Sequence, residues 1–243
     1  MTEFRNQDMT GADPRALHTH IEAAYSRGAV PALEGNPMSL APHSLDRPAG
    51  EALRDLASAE GAERTIEVGL ALGMSALFMC EAVLPRGGRH VAIDPFQQDS
   101  WKGAGLRTLR EAGVEDIVEV IQEESQLALP RLLAEGRSFD FAFIDGDHRF
   151  EAVFVDLYFM TRLVEPRRLV VVDDMWMPSV RTAVAYVERN LGVRLEPDAL
   201  PNGFRWRRRP SRRGPPGGRG DMAVLRLPSE PAKPRWDAFV APY

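Results

Sequence analysis

The chain has 243 residues, of which 44% are hydrophobic, so it is long enough to bury one large α/β core with short appendages. Its net charge of −5 gives no overall attraction to nucleic acid or to an anionic membrane, and its single cysteine excludes a disulfide or zinc–cysteine framework. Because no signal peptide and no apolar run of about 18 residues is visible, we expect a soluble, cytoplasmic protein without a membrane partner.

The first 50 residues are expected to form an N-terminal arm, and residues 51–243 the main domain. After a polar start, residues 17–28 (LHTHIEAAYSRG) have the pattern of a short amphipathic helix, and a Pro-rich link follows. Three interpretations of the arm stay open. The first is a lid over the active site, the second is a contact arm of a homodimer or higher homo-oligomer, and the third is a plain linker.

The main domain has the pattern of alternating strands and helices. Five apolar strands, at residues 65–68, 90–94, 117–122, 141–145 and 169–173, are separated by helical stretches of about 10 to 20 residues. Two further short strands, at 203–207 and 222–227, are expected to pair antiparallel at the sheet edge. The pattern predicts an α/β fold with a doubly wound, mostly parallel seven-stranded sheet and an antiparallel C-terminal edge strand.

A glycine-rich turn follows the first of these strands. Residues 64–75 (RTIEVGLALGMS) run from a strand through Glu67, Gly69 and Gly73 into a helix. Glycines at a helix start leave backbone N–H groups and the positive helix end open to a ligand phosphate or carboxylate, although a turn of this kind needs glycine for conformational reasons as well. The turn indicates a nucleotide-like cofactor.

The ends of the next two strands fit a nucleoside. Asp94 ends the strand at 90–94, about 20 to 25 residues past the glycines, where an acidic side chain accepts hydrogen bonds from ribose hydroxyls. The following strand ends in Glu124, Ser125 and Gln126, which offer polar groups to an adenine edge.

Acidic residues follow the last two parallel strands. FDFAFIDGDH ends in Asp145, Asp147 and His148, and RLVVVDDMW ends in Asp173 and Asp174. Ligands of open α/β sheets sit beyond the carboxyl ends of the strands, so these carboxylates are expected to converge and to need a hard divalent cation. The alternative is that some of them cap the following helices, which we favour for Asp147.

The C-terminal part differs in composition. Six arginines lie among Pro and Gly between Arg207 and Arg219, and residues 207–220 are expected to form a flexible loop. The alternative role of this loop is an anion clamp for a phosphorylated substrate. Trp176 and Trp206 are candidates for the wall of an acceptor pocket, and Trp176 is the stronger one.

Together these motifs resemble the class I S-adenosylmethionine-dependent methyltransferases, in the group of metal-dependent O-methyltransferases. The Glu-x-Gly-x-x-x-Gly-x-Ser run and the Ser-Gln pair are similar to those of the catechol O-methyltransferases. The Asp-x-x-His motif followed by an acidic pair is closer to that of the bacterial macrolide-sugar O-methyltransferases. The resemblance covers about residues 38 to 190 and implies that residues 51–243 form the methyltransferase domain.

The resemblance also implies roles for individual residues. The methionine part of S-adenosylmethionine would be lined by the Glu-x-Gly-x-x-x-Gly-x-Ser run, that is by Glu67, Gly69, Gly73 and Ser75. Asp94 would bind the ribose, and Ser125 and Gln126 would lie near adenine. Asp145, Asp173 and Asp174 would ligate a divalent cation, of which Mg²⁺ is expected, and His148 would be the general base.

The acceptor implied by this resemblance is a small molecule with a hydroxyl group. A divalent cation lowers the pKa of such a hydroxyl and orients it toward the methyl group, and histidine is a suitable proton acceptor. The catechol enzymes have a lysine where this chain has His148, which favours a sugar or natural-product scaffold over a catechol or phenol. At the first position of the acidic pair, some of the macrolide-sugar O-methyltransferases have Glu, whereas this chain has Asp173.

Two alternatives come from other functional classes. An NAD-dependent oxidoreductase fits the first two strands and Asp94, but the glycines lack the Gly-x-Gly-x-x-Gly spacing and hydride transfer gives no reason for Asp173 and Asp174. A non-catalytic cofactor-binding protein is disfavoured by the intact acidic residues. The other histidines, His18, His20, His43 and His90, are interpreted as structural.

Overall fold

The structure is a computed structural model that describes residues 11–197, 199–200, 222–230 and 236–242. Three predictions lie outside the described residues, namely the strand at 203–207, the Arg-rich loop at 207–220 and the position of Trp206. Within the described ranges, no helix is both long and apolar enough to cross a membrane.

Helices and strands alternate along the described chain as predicted. The helices are α1 (Pro14–Arg27), α2 (Arg47–Ala59), α3 (Met74–Val83), α4 (Ala104–Glu111), α5 (Ser125–Ala134), α6 (Phe150–Leu163) and α7 (Pro178–Asn190). A small hairpin is formed by β1 (Ala29–Val30) and β2 (Met38–Ser39). The main sheet contains β3 (Arg64–Val68), β4 (Arg89–Ile93), β5 (Val118–Ile121), β6 (Phe139–Ile144), β7 (Val164–Val172), β8 (Arg194–Leu195) and β9 (Ala223–Arg226).

The main sheet confirms the predicted fold class. In the described part of the chain its seven strands have the order β5-β4-β3-β6-β7-β9-β8. The strands from β5 to β7 are parallel, whereas β9 is antiparallel to both of its neighbours, β7 and β8. The edge strand on this side is β8, which the sequence pattern did not predict because it has only two residues.

Helices cover both faces of the sheet, and the strand side chains divide between them. Ile66 and Val68 face a core formed with α5, α6 and α7. Phe141 and Phe143 face a core that includes residues of α2 and α3. All six residues of β6 are buried, because a central parallel strand is covered on both faces, and its sequence is therefore nearly continuous in apolar residues.

The described part of the N-terminal segment packs against the sheet-covering helices. Leu17 and Ile21 of α1 are buried in the same core as Leu77 of α3. The helix begins three residues earlier than its apolar pattern suggested, because Asp13 caps it by accepting a hydrogen bond from the Arg15 backbone N–H and Pro14 suits its first position. The division of the chain at residue 50 stays a prediction.

The chain order creates a crevice between β3 and β6. From β3 the chain proceeds outward through β4 and β5, and it then returns to the other side of β3 to form β6 and β7. Connections leave the carboxyl ends of β3 and β6 in opposite directions, which opens space for a ligand at this point of the sheet.

Candidate functional site

A cavity of about 520 Å³ lies at this crevice, beyond the carboxyl ends of β3, β4 and β6. Seven of the residues named from the sequence line it, and they are Gly69, Asp94, Glu124, Ser125, Gln126, Asp145 and Asp147. Two aromatic lining residues were not predicted. Phe96 and Trp101 belong to the loop after Asp94, where two aromatic residues within seven positions of a strand-ending acid were an available signal.

The glycine turn brings its backbone close to the next strand. Gly69 has a φ of 99°, and a Cβ atom at this position would lie 2.1 Å from the backbone oxygen of Asp145. Only glycine fits this conformation and this close approach. Gly73 also has a positive φ, of 86°, and α3 begins directly after it, with Ser75 buried in its first turn. The turn therefore places the bare backbone of Gly69 at the cavity, whereas Gly73 and Ser75 are not among the residues that line it.

Glu67 is fully buried on β3, and neither of its carboxylate oxygens has a hydrogen-bond partner among the described residues. The Nε2 atom of His90, on the neighbouring strand, lies 3.4 Å from its Oε1, and His90 Nδ1 is 2.8 Å from the Thr65 hydroxyl. A buried carboxylate that lacks partners is costly. It fits a positively charged group, such as the amino group of S-adenosylmethionine.

Asp94 is held in place by three donors. Its Oδ1 accepts from the Phe96 backbone N–H at 2.7 Å, and its Oδ2 accepts from the Ala71 N–H at 2.7 Å and from Gln97 Nε2 at 3.1 Å. Each carboxylate oxygen has more than one acceptor site, so the side chain keeps capacity for a ligand hydroxyl at the cavity wall. The supporting Gln97, which is fully buried, was not recognised in the sequence.

A second cluster lies beside the cavity at the ends of β6 and β7. One ligand atom from each of Asp145, His148 and Asp174 lies within 4.8 Å of the others. His148 Nε2 is 2.6 Å from Asp174 Oδ2 and 3.6 Å from Asp145 Oδ1. Asp174 has a φ of 57°, and its Oδ1 also accepts a hydrogen bond from the Trp176 indole at 2.6 Å. The cluster joins three of the predicted residues.

The remaining predicted carboxylates lie near the cluster in different surroundings. Asp173 is buried and its Oδ1 has no hydrogen-bond partner in the described residues, but it does not belong to the group of converging ligand atoms. Asp147 is exposed and accepts a hydrogen bond from the Arg149 backbone N–H at 3.0 Å, just before α6. The N-cap residue of α6 is Arg149 and no side chain forms a capping hydrogen bond there, so the interpretation of Asp147 as a cap of this helix is wrong.

The crowding of carboxylates changes their acidity. Burial, together with the charges of Asp174 and Glu67, raises the pKa of Asp145 to about 6 despite its hydrogen bond with His148. Burial, together with the charges of Asp145 and Asp174, raises the pKa of Asp173 well above its usual value. Hydrogen bonds to Asp145 and Asp174 raise the pKa of His148 to about 10. The oxygen and imidazole donors of this cluster fit a divalent cation, which would relieve the repulsion.

Comparisons with known proteins agree with the fold. A family model described as a methyltransferase domain matches residues 66–175. A probable caffeoyl-CoA O-methyltransferase of Arabidopsis thaliana is 39% identical over 103 residues, 41% of this chain and 43% of the relative. A flavonoid 3′,5′-methyltransferase of Vitis vinifera is 31% identical over 123 residues, 49% of this chain and 50% of the relative. The chain thus spans half the length or less of these curated relatives.

Solved structures with similar folds are also O-methyltransferases. The O-methyltransferase TomG of Streptomyces achromogenes, in complex with S-adenosylmethionine, has a TM-score of 0.61 at 21% identity, covering 93% of this chain and 92% of TomG. An O-methyltransferase of Bacillus cereus, in complex with S-adenosylhomocysteine, has a TM-score of 0.61 at 17% identity, covering 92% and 93%. Residues 66–175 thus match a methyltransferase domain, the part of the chain that aligns with curated relatives is similar to caffeoyl-CoA O-methyltransferases, and the solved structures share the fold of the chain.

Proposed function

We propose that this protein transfers the methyl group of S-adenosylmethionine to a hydroxyl of a small molecule, with the help of a divalent cation. The observation that carries the proposal is that Asp145 both lines the cavity and belongs to the cluster with His148 and Asp174. A methyl donor in the cavity and a hydroxyl at the cluster would be neighbours, as an in-line transfer requires.

The proposed cofactor site follows the walls of the cavity. Asp94 binds the ribose hydroxyls, and Ser125 and Gln126 meet the adenine edge. The methionine part is surrounded by the strand, turn and helix start that contain Glu67, Gly69, Gly73 and Ser75. The unpartnered carboxylate of Glu67 and the close backbone approach at Gly69 support this arrangement.

The proposed cation ligands are Asp145, Asp173 and Asp174, with Mg²⁺ as the expected ion. When bound, such a cation supplies a Lewis acid that lowers the pKa of the acceptor hydroxyl. The carboxylates orient the acceptor, and His148 Nε2 takes up the proton of the hydroxyl. The carboxylates of Asp145 and Asp174 raise the pKa of His148 to about 10, so the imidazole would be free to accept a proton only once a bound cation offsets their charges. The position of His148 between these two carboxylates supports this role.

The proposed acceptor is a hydroxyl of a sugar or another natural-product scaffold. A phenolic acceptor is the second candidate, and Trp176 favours it. Its indole is 37% exposed beside the cluster and is tied to Asp174, so it offers a fixed flat surface to an aromatic ring. The caffeoyl-CoA and flavonoid methyltransferases among the similar proteins point in the same direction.

A mass-spectrometric transfer assay tests the function. The purified protein is incubated with S-adenosylmethionine, Mg²⁺ and a panel of sugar and phenolic acceptors. We expect an acceptor to gain the mass of one CH₂ unit while S-adenosylhomocysteine accumulates, and we expect excess chelator to abolish the gain. The Asp145→Asn variant serves as the inactive control. Full activity in excess chelator would contradict the role of the cation.

A further inference from the structure

The first turn of α7 is bonded to the loop that follows β6. Ser179, the second residue of the helix, donates a hydrogen bond from its hydroxyl to the His148 backbone oxygen at 2.6 Å. The two residues are 31 positions apart in sequence. The bond therefore fixes the backbone of His148 to a helix instead of leaving it to the loop alone.

The same turn of α7 is also bonded to the loop that follows β7. The Nη1 atom of Arg181 donates to the Met175 backbone oxygen at 3.0 Å and to the backbone oxygen of Trp176. These two residues directly follow Asp174, whose φ of 57° is left-handed. A residue other than glycine keeps this conformation only where its surroundings hold it, and Arg181 supplies such a hold.

The two loops meet in the contact between His148 and Asp174. His148 Nε2 lies 2.6 Å from Asp174 Oδ2, although the two side chains are 38% and 25% exposed. A partly exposed pair contributes little by itself, because fixing two side chains in one geometry costs conformational entropy. The contact is therefore expected to depend on how firmly the two backbones are held.

We propose that Ser179 and Arg181 are positioning residues, which keep His148 and Asp174 in contact before a cation or an acceptor binds. Neither residue is among those that line the cavity or that converge in the cluster, so both act through the backbone of the two loops. The inference rests on the proposed function, in which Asp174 is a cation ligand and His148 is the general base.

Histidine-ring NMR of the cation-free protein tests the hold on His148. The chain has five histidines, and the signals of His148 are those that disappear in His148→Ala. At neutral pH, we expect the wild-type His148 ring nitrogens to have the chemical shifts of an imidazole bonded to a carboxylate. Ser179→Ala should move these signals toward those of a solvent-exposed histidine. Ser179→Thr keeps the hydroxyl and should restore them.

Calorimetric titration with Mn²⁺ tests the hold on Asp174. Arg181→Met has a side chain without a donor, and it should weaken Mn²⁺ binding by about 10- to 100-fold, the usual effect of removing a residue that orients a metal ligand. Arg181→Lys retains a charged donor and should recover most of the affinity. The affinity for S-adenosylhomocysteine should be the same in all variants, because neither residue lines the cavity.

Thr182 offers a matched control on the same turn of α7. Its hydroxyl donates to the Pro178 backbone oxygen at 2.8 Å, within the helix, and reaches neither loop. Thr182→Val removes this hydroxyl, as Ser179→Ala removes the other. It should change neither the His148 signals nor the affinity for Mn²⁺.

The outcomes distinguish this inference from the proposed function. Unchanged His148 signals in Ser179→Ala would overturn the role of Ser179, and unchanged Mn²⁺ affinity in Arg181→Met would overturn that of Arg181. Changes at all five histidines, or a loss of affinity for S-adenosylhomocysteine, would indicate general destabilisation and would overturn both roles. If the wild-type protein binds neither Mn²⁺ nor S-adenosylhomocysteine, the proposed function itself is wrong, and the NMR signals still decide the role of Ser179.

Discussion

At the scale of single residues, the site depends on side chains that are held by neighbours before any ligand arrives. Asp94 has three internal donors and Asp174 has two, from His148 and Trp176. Preorganised side chains of this kind lose little conformational freedom when a ligand binds. The residues that hold them, such as Gln97 and Trp176, therefore contribute to function without touching the reacting atoms.

Replacing Asp94 tests the cofactor assignment. Asp94→Ala removes the proposed acceptor of the ribose hydroxyls, and each hydrogen bond to a charged group contributes about 1.5 to 3 kcal/mol. Calorimetry should show at least about tenfold weaker binding of S-adenosylhomocysteine. Gln97→Leu is the matched control, because it removes one internal donor of Asp94 and leaves the carboxylate, and it should weaken binding much less. An unchanged affinity in Asp94→Ala would refute the ribose contact.

Replacing His148 tests the general base. His148→Ala should lower turnover by about 10²- to 10⁴-fold, the usual cost of losing a positioned base. Binding of S-adenosylhomocysteine and of the cation, measured by calorimetry, should persist, because the proposed ligands are the carboxylates. A variant that keeps more than about a tenth of wild-type turnover would show that the cation alone activates the hydroxyl. Loss of cation affinity would instead make His148 a ligand.

At the scale of elements, α5 and α6 both contribute residues to the wall of the cavity. Ser125 opens α5, and Ala152, Val155 and Asp156 are on the inner side of α6, where the first two line the cavity and the third is buried. A helix pair that encloses an ionisable group has a stability that depends on pH. Burial of the Asp156 carboxyl group mainly determines the direction of this dependence.

Asp156 should destabilise the folded protein as the pH rises. Its pKa is about 7 in the folded state, raised mainly by burial, against 3.8 for the ordinary side chain. Between these values the folded state binds the proton and the unfolded state does not, so the free energy of unfolding falls by up to about 1.4 kcal/mol per pH unit. Above pH 7 the loss is complete and constant.

Comparing wild-type protein with Asp156→Asn measures this effect. Urea unfolding gives the free energy of unfolding of both proteins at each pH. The value of the variant minus that of the wild type should increase from about pH 4 to about pH 7 and then stay constant. Ser125 and Asp147 are retained in both proteins, so their contributions cancel in the comparison. A difference that does not change with pH would mean that Asp156 is ionised in the folded state over the whole range.

At the scale of the whole molecule, a ligand that binds in the cavity or at the cluster of Asp145, His148 and Asp174 is expected to raise the stability of the folded protein. A ligand that binds only the folded state raises the melting temperature by mass action. Mg²⁺ or Mn²⁺ should therefore raise the Tm of the wild-type protein, because a cation relieves the repulsion among Asp145, Asp173 and Asp174. S-adenosylhomocysteine should also raise the Tm, independently of the cation, because it binds in the cavity.

Thermal denaturation of two variants checks the cation site. Asp174→Asn should lose the cation-dependent rise in Tm and keep the rise with S-adenosylhomocysteine. Asp147→Asn removes a nearby carboxylate that bonds to Arg149 instead of joining the cluster, and it should keep both. A full cation-dependent rise in Asp174→Asn would argue against the proposed ligands.

The sequence by itself determined the order of strands and helices and the polar residues at the strand ends. Apolar periodicity identifies β3 to β7 with errors of a few residues, because a buried strand and an amphipathic helix repeat at different intervals. Glycine and aspartate at the carboxyl ends of β3, β4, β6 and β7 are local signals, since they serve a turn or a ligand directly. These signals were sufficient for the fold class and for the group of O-methyltransferases.

Only the tertiary structure decided which of these residues meet. Asp173 and Asp174 are adjacent in sequence, but the left-handed backbone at Asp174 turns its carboxylate to His148 while Asp173 stays buried beside the cluster. The pairing of β9 with β8 and the approach of His90 to Glu67 likewise join segments distant in sequence. Such contacts depend on strand register and helix packing, which local periodicity does not encode.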